Sequence, residues 1–214
     1  MGTAFRQSGN TRVMGTGDQA RLSDAEVVTA SLADPQAFAT LFDRHAAPLH
    51  RYLTKRVGQQ TAEDLVGETF ATAFRARTSY DRSYPDARPW LFGIATNLVR
   101  HHWRAESKRS RTALTALEVR HEDDSEDIIA RVTLSSHAQT ISEALAQLDD
   151  SYLDVLLLIA GPGFSYEQVA LALGIPVGTV RSRLFRARQQ LRELLGDSRQ
   201  YLDEMHQTRA PHCR

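Results

Sequence analysis

Cysteine is almost missing from this chain of 214 residues. Its one thiol, Cys213, stands beside the last residue, so no intrachain disulfide is available and a reducing compartment fits. Lysine is scarce as well. Lys55 and Lys108 are the two lysines among 26 basic residues, a bias that reports GC-rich coding more than chemistry. No run of about 18 apolar residues occurs, so no helical membrane span is expected. The N-terminus has no apolar core of the signal-peptide type. These absences predict a cytoplasmic protein with no membrane partner. Catalytic motifs are missing too: there is no Walker loop, no HExxH and no G-x-S-x-G. His101 and His102 are adjacent and so point in different directions on a helix, which is poor geometry for a nuclease or phosphotransferase site. No catalytic residue and no cofactor is therefore expected. His206, His212 and Cys213 lack a fourth ligand and a recognised spacing, so no metal site is assigned and a frayed tail is expected.

Net charge is also absent, since 26 acids balance 26 bases. The average hides an asymmetry. Residues 97–111 hold Arg100, Arg104, Lys108, Arg109 and Arg111 against Glu106. Residues 181–192 hold Arg181, Arg183, Arg186, Arg188 and Arg192 and no acid. Between them, Glu118, Glu122, Asp123, Asp124, Glu126 and Asp127 face Arg120 alone. The chain carries two basic patches with an acidic segment between them, and its 42% hydrophobic content suffices for compact cores in one domain or two small ones.

The stretch that organises the rest is SYEQVALALGIPVGTVRSRLFRAR, residues 165–188. Ser165 and Gln168 form a capping box. Val169, Leu171 and Leu173 supply apolar contacts, and Ala170 and Ala172 permit close helix packing. Gly174 ends the first helix, Ile175 and Pro176 make the corner, and a second helix starts near Val177. Val180, Leu184, Ala187 and Leu191 recur at helical spacing and form its inward stripe. Ser182, Phe185, Arg186 and Gln189 then face outward, flanked by Arg181 and Arg183. This is the pattern of a helix-turn-helix whose second helix enters the major groove. Arginine pairs bidentately with guanine, serine meets base edges or phosphate, and phenylalanine touches a thymine methyl. The alternative is a surface hairpin with solvated arginines, in which Phe185 packs against the first helix.

Upstream, residues 1–22 read as a disordered leader. Ser23 and Glu26 cap a short helix reaching about Leu32, and Asp34-Pro35 starts the next. Phe38, Leu41, Phe42, Leu49, Leu53 and Val57 run along one side of it, and Pro48 is expected to kink or split it near residues 45–47. Gly58 closes that element. Thr61 with Asp64 opens a helix that buries Leu65, Val66, Thr69, Phe70, Ala73 and Phe74. Glu63, Asp64 and Glu68 decorate its front; spacing favours simple stabilisation by the helix dipole over a docking role. Residues 78–88 are polar and turn-forming, with Tyr80 and Arg82 candidates for stacking on single-stranded bases. Pro89-Trp90 opens another helix with Trp90, Leu91, Ile94, Leu98, His101 and His102 placed toward the core. Asn97 is a candidate base reader there, beside the candidate phosphate contacts Arg100, Arg104 and Lys108.

In combination, AEDLVGETF, PWLFGIATNL with its basic continuation, LDDSYLDVLLL and the helix-turn-helix resemble the extracytoplasmic-function (ECF) subfamily of bacterial RNA polymerase sigma factors. The likeness covers about residues 34–195, with the blocks in the family's order. It implies an all-α fold of two small helical domains: residues 23–112, similar to sigma region 2, and residues 136–196, similar to region 4. A flexible acidic linker, 113–135, joins them, and a tail, 197–214, follows. The implied function is promoter-specific initiation with core RNA polymerase. Glu63, Asp64 and Glu68 would bind the β′ clamp helices, which reverses the preference stated above. The β subunit and promoter DNA would complete the partners, and many family members are held by an anti-sigma factor. Tyr80, Arg82, Asn97, Arg100, Arg104 and Lys108 would serve the −10 element, with residues 80–87 capturing a flipped base. Thr179, Arg181, Ser182, Arg183, Phe185 and Arg186 would read the −35 element. The chain departs from the family pattern at Gly67, where glutamine is usual, and at His101, where aspartate is usual. The competing reading is a stand-alone helix-turn-helix regulator, which would bind duplex DNA tightly without polymerase.

Overall fold

The computed structural model describes residues 22–106 and 140–195. The bulk of the leader, the acidic linker, the tail with His206, His212 and Cys213, and Lys108 lie outside the described residues. Among the described residues every regular element is helical, in keeping with the all-α expectation. No helix among them is long and apolar enough to cross a membrane.

The N-terminal group starts with α1 (Asp24–Ala33). Ser23 Oγ accepts from the Glu26 amide and the Glu26 carboxylate accepts from the Ser23 amide, the expected reciprocal box. Asp34 then caps a short 3-10 turn, Pro35–Phe38, which runs into α2 (Ala39–Val57). Pro48 does not split α2. It lacks the amide that would reach back to the preceding turn, but His45, Leu49, Tyr52 and Leu53 are buried on both sides of it and hold the helix through.

Gly58 adopts a positive φ of 79° and turns the chain straight into α3 (Gln59–Ala76). This helix therefore begins two residues before the expected Thr61 start. With glycine reversing the chain, no connecting residue is needed, and the Ala62 amide already bonds to the Gly58 carbonyl. α3 buries Leu65, Val66, Thr69, Phe70 and Ala73 as expected, with Phe74 partly buried. Phe42 departs from its expected place: it is 46% exposed and leans on Phe70 with ring centroids 4.9 Å apart.

A 3-10 turn, Arg77–Ser79, and a loop lead to α4 (Arg88–Glu106). Leu91, Phe92, Ala95 and Val99 of α4 are buried against α2 and α3, and Tyr52 bonds to Thr96 between α2 and α4 at 2.8 Å. His101 faces solvent and His102 is half-buried, so neither is a core residue as expected.

In the C-terminal group, residues 140–146 are helical, followed by α5 (Asp150–Ala160), α6 (Tyr166–Leu173) and α7 (Val177–Leu195). The capping box of Ser165 and Gln168 is present, and Gly174 takes the left-handed conformation with φ 62°. Val169 and Ala172 are buried, but Leu171 is exposed. Positions 169, 171 and 173 alternate with a strand-like period, so on a helix the middle one turns outward. The two groups are packed together. Val155, Leu158, Phe164, Val169 and Ala172 join the same apolar cluster as Leu53, Leu91 and Phe92. Phe92 meets Phe164 edge-on at 5.2 Å.

Candidate nucleic-acid interface

α7 presents the sequence-derived face without alteration. Val180, Leu184, Ala187 and Leu191 are buried, which turns Arg181, Ser182, Phe185 and Arg186 to solvent. Phe185 is 66% exposed, so it does not pack against α6. Ser182 Oγ donates to the Thr179 carbonyl at 3.0 Å, and Arg186 Nη1 donates to the Tyr152 hydroxyl at 3.2 Å, which tethers the guanidinium to α5. Thr179 and Arg183 are half-buried at the edges of this face.

On α4, Asn97 and Arg104 are exposed. Gly93, Asn97, Arg100 and Arg104 recur at intervals of three and four and so lie on one stripe. Arg100 is already engaged: its Nε and Nη2 lie 2.9 and 2.7 Å from Oδ2 of Asp154, on α5. Asp154 has no exposed surface, and its Oδ1 lies 2.7 Å from Nη2 of Arg56, which is also buried. Burial pushes the Asp154 carboxyl up from its ordinary value, against the pull of Arg56 and Arg100.

In the loop of residues 80–87, Arg82 is exposed, but Tyr80 is buried, with its ring 4.9 Å from Trp90 and its hydroxyl donating to the Tyr84 carbonyl at 2.5 Å. Burial, aided by the charges of Asp24, Asp86 and Asp81, pushes the Tyr80 phenol up to about 12. Tyr80 supports the loop from beneath. The exposed aromatic of this loop is Tyr84. Asp24 anchors the loop from the other side. Its carboxylate accepts from the Ala87 amide at 3.0 Å, lies 2.8 Å from His45 Nε2 and pairs with Arg44 at 2.9 Å.

Glu63, Asp64 and Glu68 are all exposed along the outer side of α3. Gly67 sits among them, and a β-carbon added there would meet nothing within 4 Å. Gly67→Ala is therefore expected to raise stability by roughly 1 kcal/mol, since alanine relieves the entropic penalty of a mid-helix glycine without a clash. Urea denaturation measures it, and an unchanged midpoint would contradict this reading.

Sequence reasoning missed Asp154, Arg56, Asp24 and His45. For Asp154 a signal existed. It shares the inward side of α5 with Val155 and Leu158, where a lone carboxylate needs a cationic partner.

Known proteins show the same organisation. The pattern of Sigma-70 region 2 matches residues 41–109, and that of Sigma-70 region 4 matches residues 138–191. The chain is 34% identical over 170 residues to the RNA polymerase sigma factor CarQ of Myxococcus xanthus, covering 75% of this chain and 90% of that one. It is 33% identical over 169 residues to the ECF RNA polymerase sigma factor SigL of Mycobacterium tuberculosis, covering 78% and 94%. Among solved structures, CnrH in complex with the cytosolic domain of CnrY matches with a TM-score of 0.59 at 28% identity, covering 82% of this chain and 98% of that one. The sigma factor RpoE in complex with the anti-sigma factor NepR, from Bartonella quintana, matches with a TM-score of 0.56 at 26% identity, covering 74% and 96%.

Two helical units of the sigma region 2 and region 4 kinds, in that order, define a transcription initiation factor, and the chain belongs to the ECF family of RNA polymerase sigma factors. It associates with core RNA polymerase and directs initiation at specific promoters.

Proposed function

We propose a division of labour among the residues of this sigma factor. The exposed face of α7 carries the reading: Thr179, Arg181, Ser182, Arg183, Phe185 and Arg186 meet the −35 duplex. The observation behind it is Phe185, held in water between arginines while the opposite side of α7 is fully buried. Asn97, Arg100, Arg104 and Lys108, with Arg82 of the loop, serve the −10 element. Tyr80 acts there by shaping the loop rather than by stacking on a base, because its ring is already covered by Trp90. Glu63, Asp64 and Glu68, exposed together on the outer side of α3, dock on the β′ clamp helices. Residues 23–112 and 136–196 are the two functional units, and 113–135 is the linker between them. The factor acts in the cytoplasm and carries out no chemistry of its own; it positions DNA for the polymerase. CnrH is solved with CnrY and RpoE with an anti-sigma factor, and a comparable inhibitory partner is proposed for this chain.

Run-off transcription with purified core polymerase on a library of genomic fragments tests the assignment. Initiation that depends on the protein, from fragments sharing two spaced elements, is expected. Tight duplex binding by the protein alone, with no polymerase-dependent transcript, would indicate a stand-alone regulator instead.

A further inference from the structure

Among the described residues, Arg186 is the one arginine of the exposed α7 face with a hydrogen bond to another residue. Its Nη1 donates to the Tyr152 hydroxyl at 3.2 Å, and Tyr152 belongs to the first turn of α5. The turn is held at both levels of its backbone. Asp149 caps it by accepting from the Ser151 amide at 2.8 Å, and the Tyr152 amide donates to the Asp149 carbonyl at 2.9 Å. α5 is braced against α7 in turn, since Leu153 and Leu156 pack with Leu191. The same turn bears on a second arginine. Hydrogen bonds from Ser151 hold the Asp149 carboxyl below its ordinary value, and the charge of Arg183 adds to the effect.

We propose that Tyr152 is a positioning residue for −35 recognition: its hydroxyl sets the Arg186 guanidinium before DNA arrives and leaves the Nε–Nη2 edge free for the duplex. The inference rests on the assignment of Arg186 to the −35 element. It adds a residue outside α7 that acts through Arg186 and meets no base itself. The free edge carries two parallel donors, the pattern that pairs with O6 and N7 of guanine. Neither Nε nor Nη2 bonds to a described residue. An unrestrained arginine must be ordered on binding, which costs affinity. Tyr152 supplies part of that order in the free protein. A phenol suits this task better than a carboxylate would. It accepts one hydrogen bond without neutralising the cation, so the charge stays available to the duplex.

Tyr152→Phe removes the hydroxyl and keeps the ring. The bond is exposed, so its loss leaves the fold intact. The test is run-off transcription by holoenzyme made from the full-length chain and core polymerase, at subsaturating DNA. The templates are a promoter recovered from the fragment library and its single-base −35 variants. Tyr152→Phe is expected to lower use of the intact promoter about two- to tenfold, the cost of ordering one long side chain on binding. Discrimination should flatten at the −35 position where Arg186→Ala flattens it, and at no other. Core affinity and discrimination within the −10 element should keep their parental values. In an Arg186→Ala background, adding Tyr152→Phe should change nothing further. Parental −35 discrimination in Tyr152→Phe would overturn the proposal. So would an equal loss in both backgrounds, because Tyr152 would then act on the DNA or the fold rather than through Arg186. Unaltered −35 discrimination in Arg186→Ala would instead overturn the assignment of Arg186 and take the inference with it.

Discussion

Glu68→Lys is expected to cost at least about a hundredfold in affinity for core polymerase, because it reverses a charge in the acidic face proposed to dock there, and like charges brought together across an interface cost several kcal/mol. Glu68 is exposed on α3 and makes no hydrogen bond or ion pair among the described residues, so the melting temperature should hardly move. Arg186→Ala is the complementary test. Loss of a guanidinium from a base edge is worth about 1–3 kcal/mol, roughly ten- to a hundredfold in −35 binding. The tether it breaks, from Arg186 to the Tyr152 hydroxyl, is exposed and weak, so stability should change little. Core binding measured by fluorescence anisotropy, beside transcription from promoters with intact and scrambled −35 elements, distinguishes the two. The division of labour is wrong if both variants lose core binding, or if Arg186→Ala initiates equally well from intact and scrambled −35 promoters.

Asp24→Asn is expected to produce the largest loss of stability. The carboxylate joins α1 to Arg44 and His45 of α2 and to the amide of Ala87. Burial alone would raise its pKa, but these partners together bring it down from 3.8 to about 2. A carboxyl lowered on folding stabilises the native state above its unfolded pKa and loses that contribution as pH falls through its folded value. The difference here amounts to about 2 kcal/mol at neutral pH. With the buried His45 also deprived of this carboxylate, a total loss near 3 kcal/mol is expected. Denaturation of parent and variant should show a gap that is constant from neutral pH down to about 4 and narrows toward pH 2. A gap that is small at pH 7, or that widens in acid, would show that Asp24 is not the anchor.

The helix-turn-helix was readable almost to the residue because every signal in it is local. Ser165 and Gln168 cap each other three positions apart, Gly174 relieves a left-handed turn within one residue, and the stripe of α7 follows from helical period alone. The α1 cap was readable for the same reason. Errors arose where a neighbour distant in sequence decides the outcome. Tyr80 looked like an exposed stacking residue until Trp90 covered it, and Phe42 looked like core until the packing of α3 left it at the rim. Gly58 shows a different difficulty, since one glycine served as the end of one helix and the start of the next.

The sequence by itself determined the helical class, the order of the two units, the exposed arginine-bearing side of α7 and the acidic side of α3. Each follows from periodicity, capping and charge within a few turns of chain. Only the tertiary structure decided that the two units share one apolar cluster, that Gly93 meets the backbone of Ala172, and that Arg56 and Arg100 converge on Asp154. Those contacts join residues 54 to 98 positions apart. A charged side chain in a local pattern looks the same whether water or a buried partner receives it, and only packing brings that partner into place.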